Sequence, residues 1–164
     1  MAKADQRRFL RAVEGCPSAR DRAIATVFFY TGYTGLRLSE LAALEVGDLS
    51  VSARRGRLRV RSRGRATPTR EVPLNSVCRH AIDEWTTART DQVAAGAATS
   101  RPPAASAALW LSRSVSRISA RAIDSIIRRL AKDAHLELSA HTLRHTAVTN
   151  LIRLYSGSDN AGLE

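Results

Sequence analysis

The apolar period along this chain switches from helical to two-residue and back, and that switch constrains the fold more than any other feature. Before Leu49 the apolar residues recur at three and four positions. Phe9, Leu10 and Val13 predict a helix over 5–14, closed by Gly15. Ile24, Val27 and Phe28 predict a second helix that opens at Asp21 and fails near Gly32. Gly35 forces a turn, after which Ser39 and Glu40 suit a helix start and Leu41 and Leu44 its inner face. From Leu49 to Leu74 the period is two. Leu58 and Val60 alternate with Arg57, Arg59 and Arg61, Val72 and Leu74 alternate with Glu71 and Pro73, and Leu49 and Val51 precede them. Three short strands are expected, turning near Gly56 and Gly64, with one apolar face and one face studded with arginine. The pattern predicts an α+β fold, mainly α-helical with a small three-stranded antiparallel sheet.

The helical period resumes at Ser76, burying Val77, Ala81, Ile82 and Trp85. Residues 86–107 are Ala, Thr, Ser, Gly and Pro with little apolar pattern, and read as a flexible connection. Ala108 to Leu111 suits a brief extended segment. Ser119 caps a helix with Ile123, Ile126, Ile127 and Leu130 inward, and a last helix opens near Ser139 and runs through Leu143, Ala147, Leu151 and Ile152 toward Tyr155. The tail, 156–164, is polar and expected to fray. At 164 residues this is one domain's worth of chain. Its longest apolar stretch, Ala23 to Tyr30, is far short of a bilayer-spanning helix, and the first residues lack the apolar centre of a signal peptide. Cys16 and Cys78 make no disulfide framework.

Charge narrows the class of partner. The formal charge is +11, from 26 basic against 15 acidic residues; Lys3 and Lys132 are the only lysines, which leaves 24 arginines. Arginine stays charged and meets phosphate with two parallel N–H groups, so it suits nucleic acid. From Leu49 to Arg70 there are eight arginines and no acid. A block of that kind exceeds what a solvated face needs and predicts a polyanionic partner.

Two short segments carry candidate chemistry. In Thr34-Gly35-Leu36-Arg37-Leu38-Ser39-Glu40-Leu41 an arginine stands in the turn before a helix, with a glutamate three residues on that can orient it. In His141-Thr142-Leu143-Arg144-His145-Thr146, positions 141, 144 and 145 share one helix face. Such a face can hold an oxyanion or phosphate. On the residues alone a plainer reading stays open: Arg37 and Glu40 as a local ion pair, and the histidines as surface polar groups. His141 and His145 have the spacing of two zinc ligands, but the glutamate of a zinc-protease helix is absent, and Cys78 with His80 has no second pair. No metal or cofactor is expected.

Taken in order, TGLRLSELAALEVGDL, the basic hairpin ending REVPL, and HTLRHTAVTNL resemble the catalytic domain of the tyrosine recombinases, the phage-integrase family. RDRAIATVFFYTG and ALWLS extend the resemblance over nearly the whole chain. It implies the recombinase catalytic core as fold and DNA integration or site-specific recombination as activity. In that family a tyrosine attacks the phosphodiester, two arginines and a histidine neutralise the transition-state charge, and a hairpin lysine protonates the leaving oxygen. The chemistry accounts for these residue types without a metal, since guanidinium groups take the role of a cation. The implied partners are double-stranded DNA and other recombinase protomers, in a bacterial-type cytosol or nucleoid, with no membrane.

Residue by residue, the resemblance makes Arg37 the first arginine, Glu40 its supporting acid, His141 and Arg144 the second pair, and His145 a brace for the helix. Arg63 stands nearest the place of the hairpin lysine, and arginine holds its proton too tightly to be a good general acid near neutral pH. Arg57, Arg59, Arg61, Arg63 and Arg65 are the expected DNA contacts. Tyr155 follows the second motif too closely to serve as nucleophile, and no leucine-glycine-histidine box precedes it. Residues 1–164 are thus expected to be a partial catalytic domain, without the N-terminal DNA-clamping domain or the nucleophile segment, and inactive alone. Two alternatives are a non-catalytic DNA-binding regulator or decoy on the same scaffold, and a basic RNA-associated domain.

Overall fold

The helices and strands fall in the order that the periods set, in a computed structural model that describes residues 2–62, 67, 70–97, 107–139 and 142–143. Arg63, Gly64, Arg65, His141, Arg144, His145, Tyr155 and the tail 156–164 lie outside the described residues. Helix α1 (Lys3–Glu14) buries Phe9 and Val13 one turn apart, with Leu10 half-buried beside them. Helix α2 (Ala19–Thr31) is buried on most of its circumference, so no polar stripe marks its sides. Its N-cap is Ser18, whose hydroxyl accepts from the Asp21 amide at 3.3 Å. Asp21 therefore stands inside the helix and does not open it. Its buried carboxylate takes Arg20 Nε at 2.8 Å and Arg129 Nη2 at 2.6 Å, clamping α2 to the later helix α5 (Ala120–Asp133).

A 3₁₀ turn over Gly32–Thr34 leads to Gly35, whose φ of 77° is the left-handed conformation that glycine adopts without penalty. Helix α3 (Leu38–Ala43) then carries Leu41 into the core. Strands β1 (Leu49–Val51), β2 (Gly56–Val60) and β3 (Arg70–Pro73) form an antiparallel sheet in the order β1-β2-β3. Leu49 faces Leu58, Leu58 faces Val72 and Val60 faces Arg70. The alternation holds through β2, with Leu58 and Val60 buried while Arg57 and Arg59 face out. It weakens at the edge strand, where Leu49 is only half-buried and Val51 is 43% exposed. The first turn lies over Ser52–Arg55, immediately before Gly56, with the Ser52 amide on the Arg55 carbonyl at 2.7 Å. Gly56 opens β2, where a side chain would meet the Arg79 stem at 2.9 Å.

Helix α4 (Ser76–Ala97) departs most from the sequence reading, because its last twelve residues occupy part of the expected flexible connection. Tertiary partners hold them. Trp85 Nε1 donates to the Leu109 carbonyl at 2.9 Å, Arg89 Nε to the Ala108 carbonyl at 3.0 Å, and Gln92 Nε2 to the Ser112 carbonyl at 2.7 Å. Thr86, Thr87 and Thr90 hydroxyls bond back to carbonyls three or four residues earlier, which suits helix as well as loop. Val77 is 48% exposed, since the inner face is centred on Cys78, Ala81, Ile82 and Trp85. Trp85 stacks on Trp110 at 6.4 Å, so the segment 108–111, bridged at Ala108 to Glu45 and at Leu111 to Arg117 and bent between them, lies in the core against α4. Ser119 caps α5 by accepting from the Ala122 amide at 3.1 Å, and Ile123, Ile126, Ile127 and Leu130 are buried as the spacing requires. Ser139 accepts from the Thr142 amide at 3.3 Å on its hydroxyl and from the Leu143 amide at 3.0 Å on its carbonyl, and Leu143 is buried.

Candidate functional site

Arg37 stands at the end of a turn whose main chain is fixed at several points. The Gly35 amide reaches the Gly32 carbonyl at 3.2 Å, the Thr34 hydroxyl reaches the Thr31 carbonyl at 2.7 Å, and Leu36 is fully buried. The Arg37 carbonyl accepts from Leu41 at 2.9 Å and so begins α3. With its neighbour anchored and its own side chain exposed, Arg37 presents a guanidinium on a rigid support. It has no carboxylate partner among the described residues.

Glu40 does not pair with the Arg37 side chain, as a local ion pair would require. Its Oε2 accepts the Arg37 main-chain N–H at 2.9 Å, closing the first turn of α3. Both carboxylate oxygens then face Arg70, the first residue of β3, with Nη2 to Oε2 at 2.7 Å and Nη1 to Oε1 at 3.2 Å. Glu40 is only 6% exposed. Burial by itself would raise the Glu40 carboxyl; the Arg70 hydrogen bonds, the Arg37 amide and the two guanidinium charges outweigh it and hold the pKa lowered.

The arginine block is free of acid in sequence and not in space. Arg57 Nη1 meets Glu71 Oε2 at 2.8 Å, both side chains being 53% exposed. Arg61 is bonded to the buried Asp48, whose Oδ2 also accepts the Glu45 amide at 3.0 Å. Arg59 Nη2 donates to the Gly47 carbonyl. In and beside this block, Arg37, Arg54, Arg55 and Arg59 keep a guanidinium with no carboxylate partner among the described residues. Of the expected contacts, Arg57 and Arg59 lie on the outward side of β2 and Arg61 follows its end, and the three differ in how committed they are. Cys78 and His80 form no ligand pair: the Cys78 thiol is buried, which pushes its pKa up to about 12, while His80 is exposed and lies 3.8 Å from Glu84.

Sequence reasoning gave Arg70 no role of its own, yet a signal was present. Arg70, Val72 and Leu74 have the same parity, so the strand directs Arg70 toward the buried side. An arginine at an inward position calls for a buried acid, and Glu40 is that acid. Arg117 was missed too. It donates to the carbonyls of Ala42, Ala43 and Leu44 at 3.3, 2.9 and 3.2 Å, and so closes the C-terminal end of α3.

A model of the phage integrase family matches residues 1–160. The tyrosine recombinase XerC of Caldanaerobacter subterraneus subsp. tengcongensis is 31% identical over 152 residues, covering 91% of this chain and 38% of that protein. The XerC of Pelotomaculum thermopropionicum is 34% identical over 142 residues, covering 85% and 42%. Among solved structures, XerA recombinase aligns with a TM-score of 0.72 at 25% identity, over 93% of this chain and 50% of that one. XerH bound to its difH substrate aligns with a TM-score of 0.74 at 19% identity, over 93% and 42%, which is a likeness of fold. The chain spans about two fifths of the length of the curated relatives it matches.

Proposed function

Because this chain belongs to the phage integrase family, we propose that it binds duplex DNA through the phosphate backbone and carries part of a tyrosine-recombinase site that breaks and rejoins strands. One observation carries the reading. Arg37 offers an exposed guanidinium on a fixed turn, while the nearest carboxylate, Glu40, is held by Arg70 and by main chain. A planar guanidinium so placed can give two N–H groups to the oxygens of one phosphodiester. As the phosphorus centre gains charge in the transition state, donors that need no reorganisation lower the barrier.

The remaining roles follow the family motif. His141 and Arg144 would complete the set of donors around the phosphate, and Arg63 would occupy the place of the hairpin lysine. An arginine there stabilises charge well and releases its proton poorly, so protonation of the leaving oxygen would be slow. Arg57, Arg59 and Arg65 would contact flanking phosphates, which set position more than sequence choice, while Arg61 stays on the buried Asp48. The reading needs no metal, and its partners are duplex DNA and further protomers of the same kind.

Fluorescence anisotropy with a labelled duplex across a salt series tests it. Binding should weaken steeply as salt rises, and Arg37→Ala should reduce the slope of log affinity against log salt by about 0.9, one phosphate contact. Absence of binding at low salt, an unchanged slope in Arg37→Ala, or a preference for RNA over duplex DNA would overturn the proposal.

A further inference from the structure

Glu40 is three residues from Arg37, the spacing at which a carboxylate and a guanidinium on one helical turn readily pair. It does not do so, because Arg70 spans both of its oxygens. The Arg70 side chain is 32% exposed against 53% for Arg57, and its carboxylate partner is buried, so the pair is less screened than the surface pair on the same sheet. The fork geometry fixes the plane of the carboxylate, and one oxygen is thereby aimed at the Arg37 amide at 2.9 Å. We infer that Arg70 is a positioning residue: by spanning Glu40 it pins that carboxylate to the Arg37 main chain and keeps it off the Arg37 guanidinium, which stays available to a phosphodiester. This rests on the reading of Arg37 as a phosphate contact. The consequence is electrostatic. Without Arg70 the buried Glu40 charge has Arg37 as its nearest counter-charge, and an arginine neutralised within the protein releases no counterion on binding DNA.

The test is the salt slope of duplex binding for the 164-residue chain and its Arg37→Ala, Arg70→Gln and Arg70→Gln/Glu40→Gln variants, each checked for folding by circular dichroism. Arg70→Gln should lose about 0.9 of slope although Arg37 is intact. The double variant should recover it, because a neutral Gln at position 40 cannot neutralise Arg37. A merely structural bridge predicts no recovery, since the double variant lacks the bridge as well. Two results overturn the inference: an Arg70→Gln slope equal to that of the unmodified chain while Arg37→Ala loses slope, or a double variant that stays as low as Arg70→Gln. An unchanged slope in Arg37→Ala removes the parent reading and this one with it. If Arg70→Gln does not fold, Arg70→Lys and Arg70→Lys/Glu40→Gln replace it, because a single ammonium cannot span both oxygens. The same fall and recovery are then expected.

Discussion

Replacing Arg117 by alanine should loosen the helix that carries Glu40, by an amount the geometry allows one to work out. Helix α3 is six residues long, too short to persist without outside support. Its last carbonyls, on Ala42, Ala43 and Leu44, all fall within reach of Arg117 Nη1, with Ala43 nearest at 2.9 Å, while Nη2 reaches Glu45 at 3.3 Å. A cation at a helix C-terminus stabilises by about 0.3–1 kcal/mol, up to about 2 when partly buried. Hydrogen bonds to a charged group add roughly 1.5–3 kcal/mol where water cannot replace them. Arg117 is 39% exposed, so water can reach part of the vacated site and the sum must be discounted. About 2 kcal/mol remains for Arg117→Ala.

For a domain of this size that loss corresponds to a fall of roughly 4–8 °C in melting temperature. Urea melts should show a lower midpoint with an unchanged m-value. Arg117→Lys keeps a cation beside the carbonyls and should retain more than half of the stability. Hydrogen exchange should quicken first at the Leu41 and Leu44 amides, which bond within this turn to Arg37 and Leu41. A loss below about 0.5 kcal/mol, or a lysine variant no better than alanine, would refute the idea that Arg117 supports α3 as a charged cap.

Three further outcomes are expected. His135 ends α5 at φ 54°, with its amide on Lys132 and the Leu136 amide on Ala131, an arrangement that favours glycine; His135→Gly should raise stability by roughly 0.5–1 kcal/mol in urea melts. Glu40, with its pKa lowered by folding, contributes stability that is complete above the unfolded carboxyl value of about 4.3 and is lost as pH falls through the folded value. Glu40→Gln should therefore flatten the acid limb of a stability–pH curve. Cys78, buried with its thiol pushed up to about 12, should react with a thiol reagent at pH 8 only as fast as the protein opens, which stopped-flow labelling with and without urea would show.

Much of the scaffold was legible because burial on one side leaves a period in the sequence. Leu58, Val60 and Val72 follow the strand rule, and Ile123, Ile126, Ile127 and Leu130 the helix rule, since each has one wet side. The second half of α4 was not legible. Its apolar content is low, and the carbonyls that hold Arg89 and Gln92 belong to residues 108–112, far along the chain. Nor could sequence pair Arg70 with Glu40 across thirty positions. Asp48 and Glu71 lie just outside the 49–70 block, so a window that looks acid-free is bounded by the carboxylates that neutralise parts of it. Arg37 was legible as an arginine in the turn before α3, and the use made of Glu40 was not, because hydrogen bonding to main chain leaves no mark in composition.

The two buried acids at the edges of the sheet sort the arginines by use. Glu40 and Asp48 cannot turn to water, so leaving either without its guanidinium would strand a buried charge. Arg70 and Arg61 are therefore held where they are, whatever polyanion approaches. Arg57 is held only by Glu71, on the exposed face, and can exchange that carboxylate for a phosphate at little cost in desolvation. Arg37, Arg54, Arg55 and Arg59 need not leave a carboxylate at all. A basic block read by its total charge overstates what a nucleic acid could release as counterions. Burial of the partner acid, and not the arginine's own exposure, decides which charges count: Arg61 at 33% and Arg70 at 32% are each partly open to solvent and still committed.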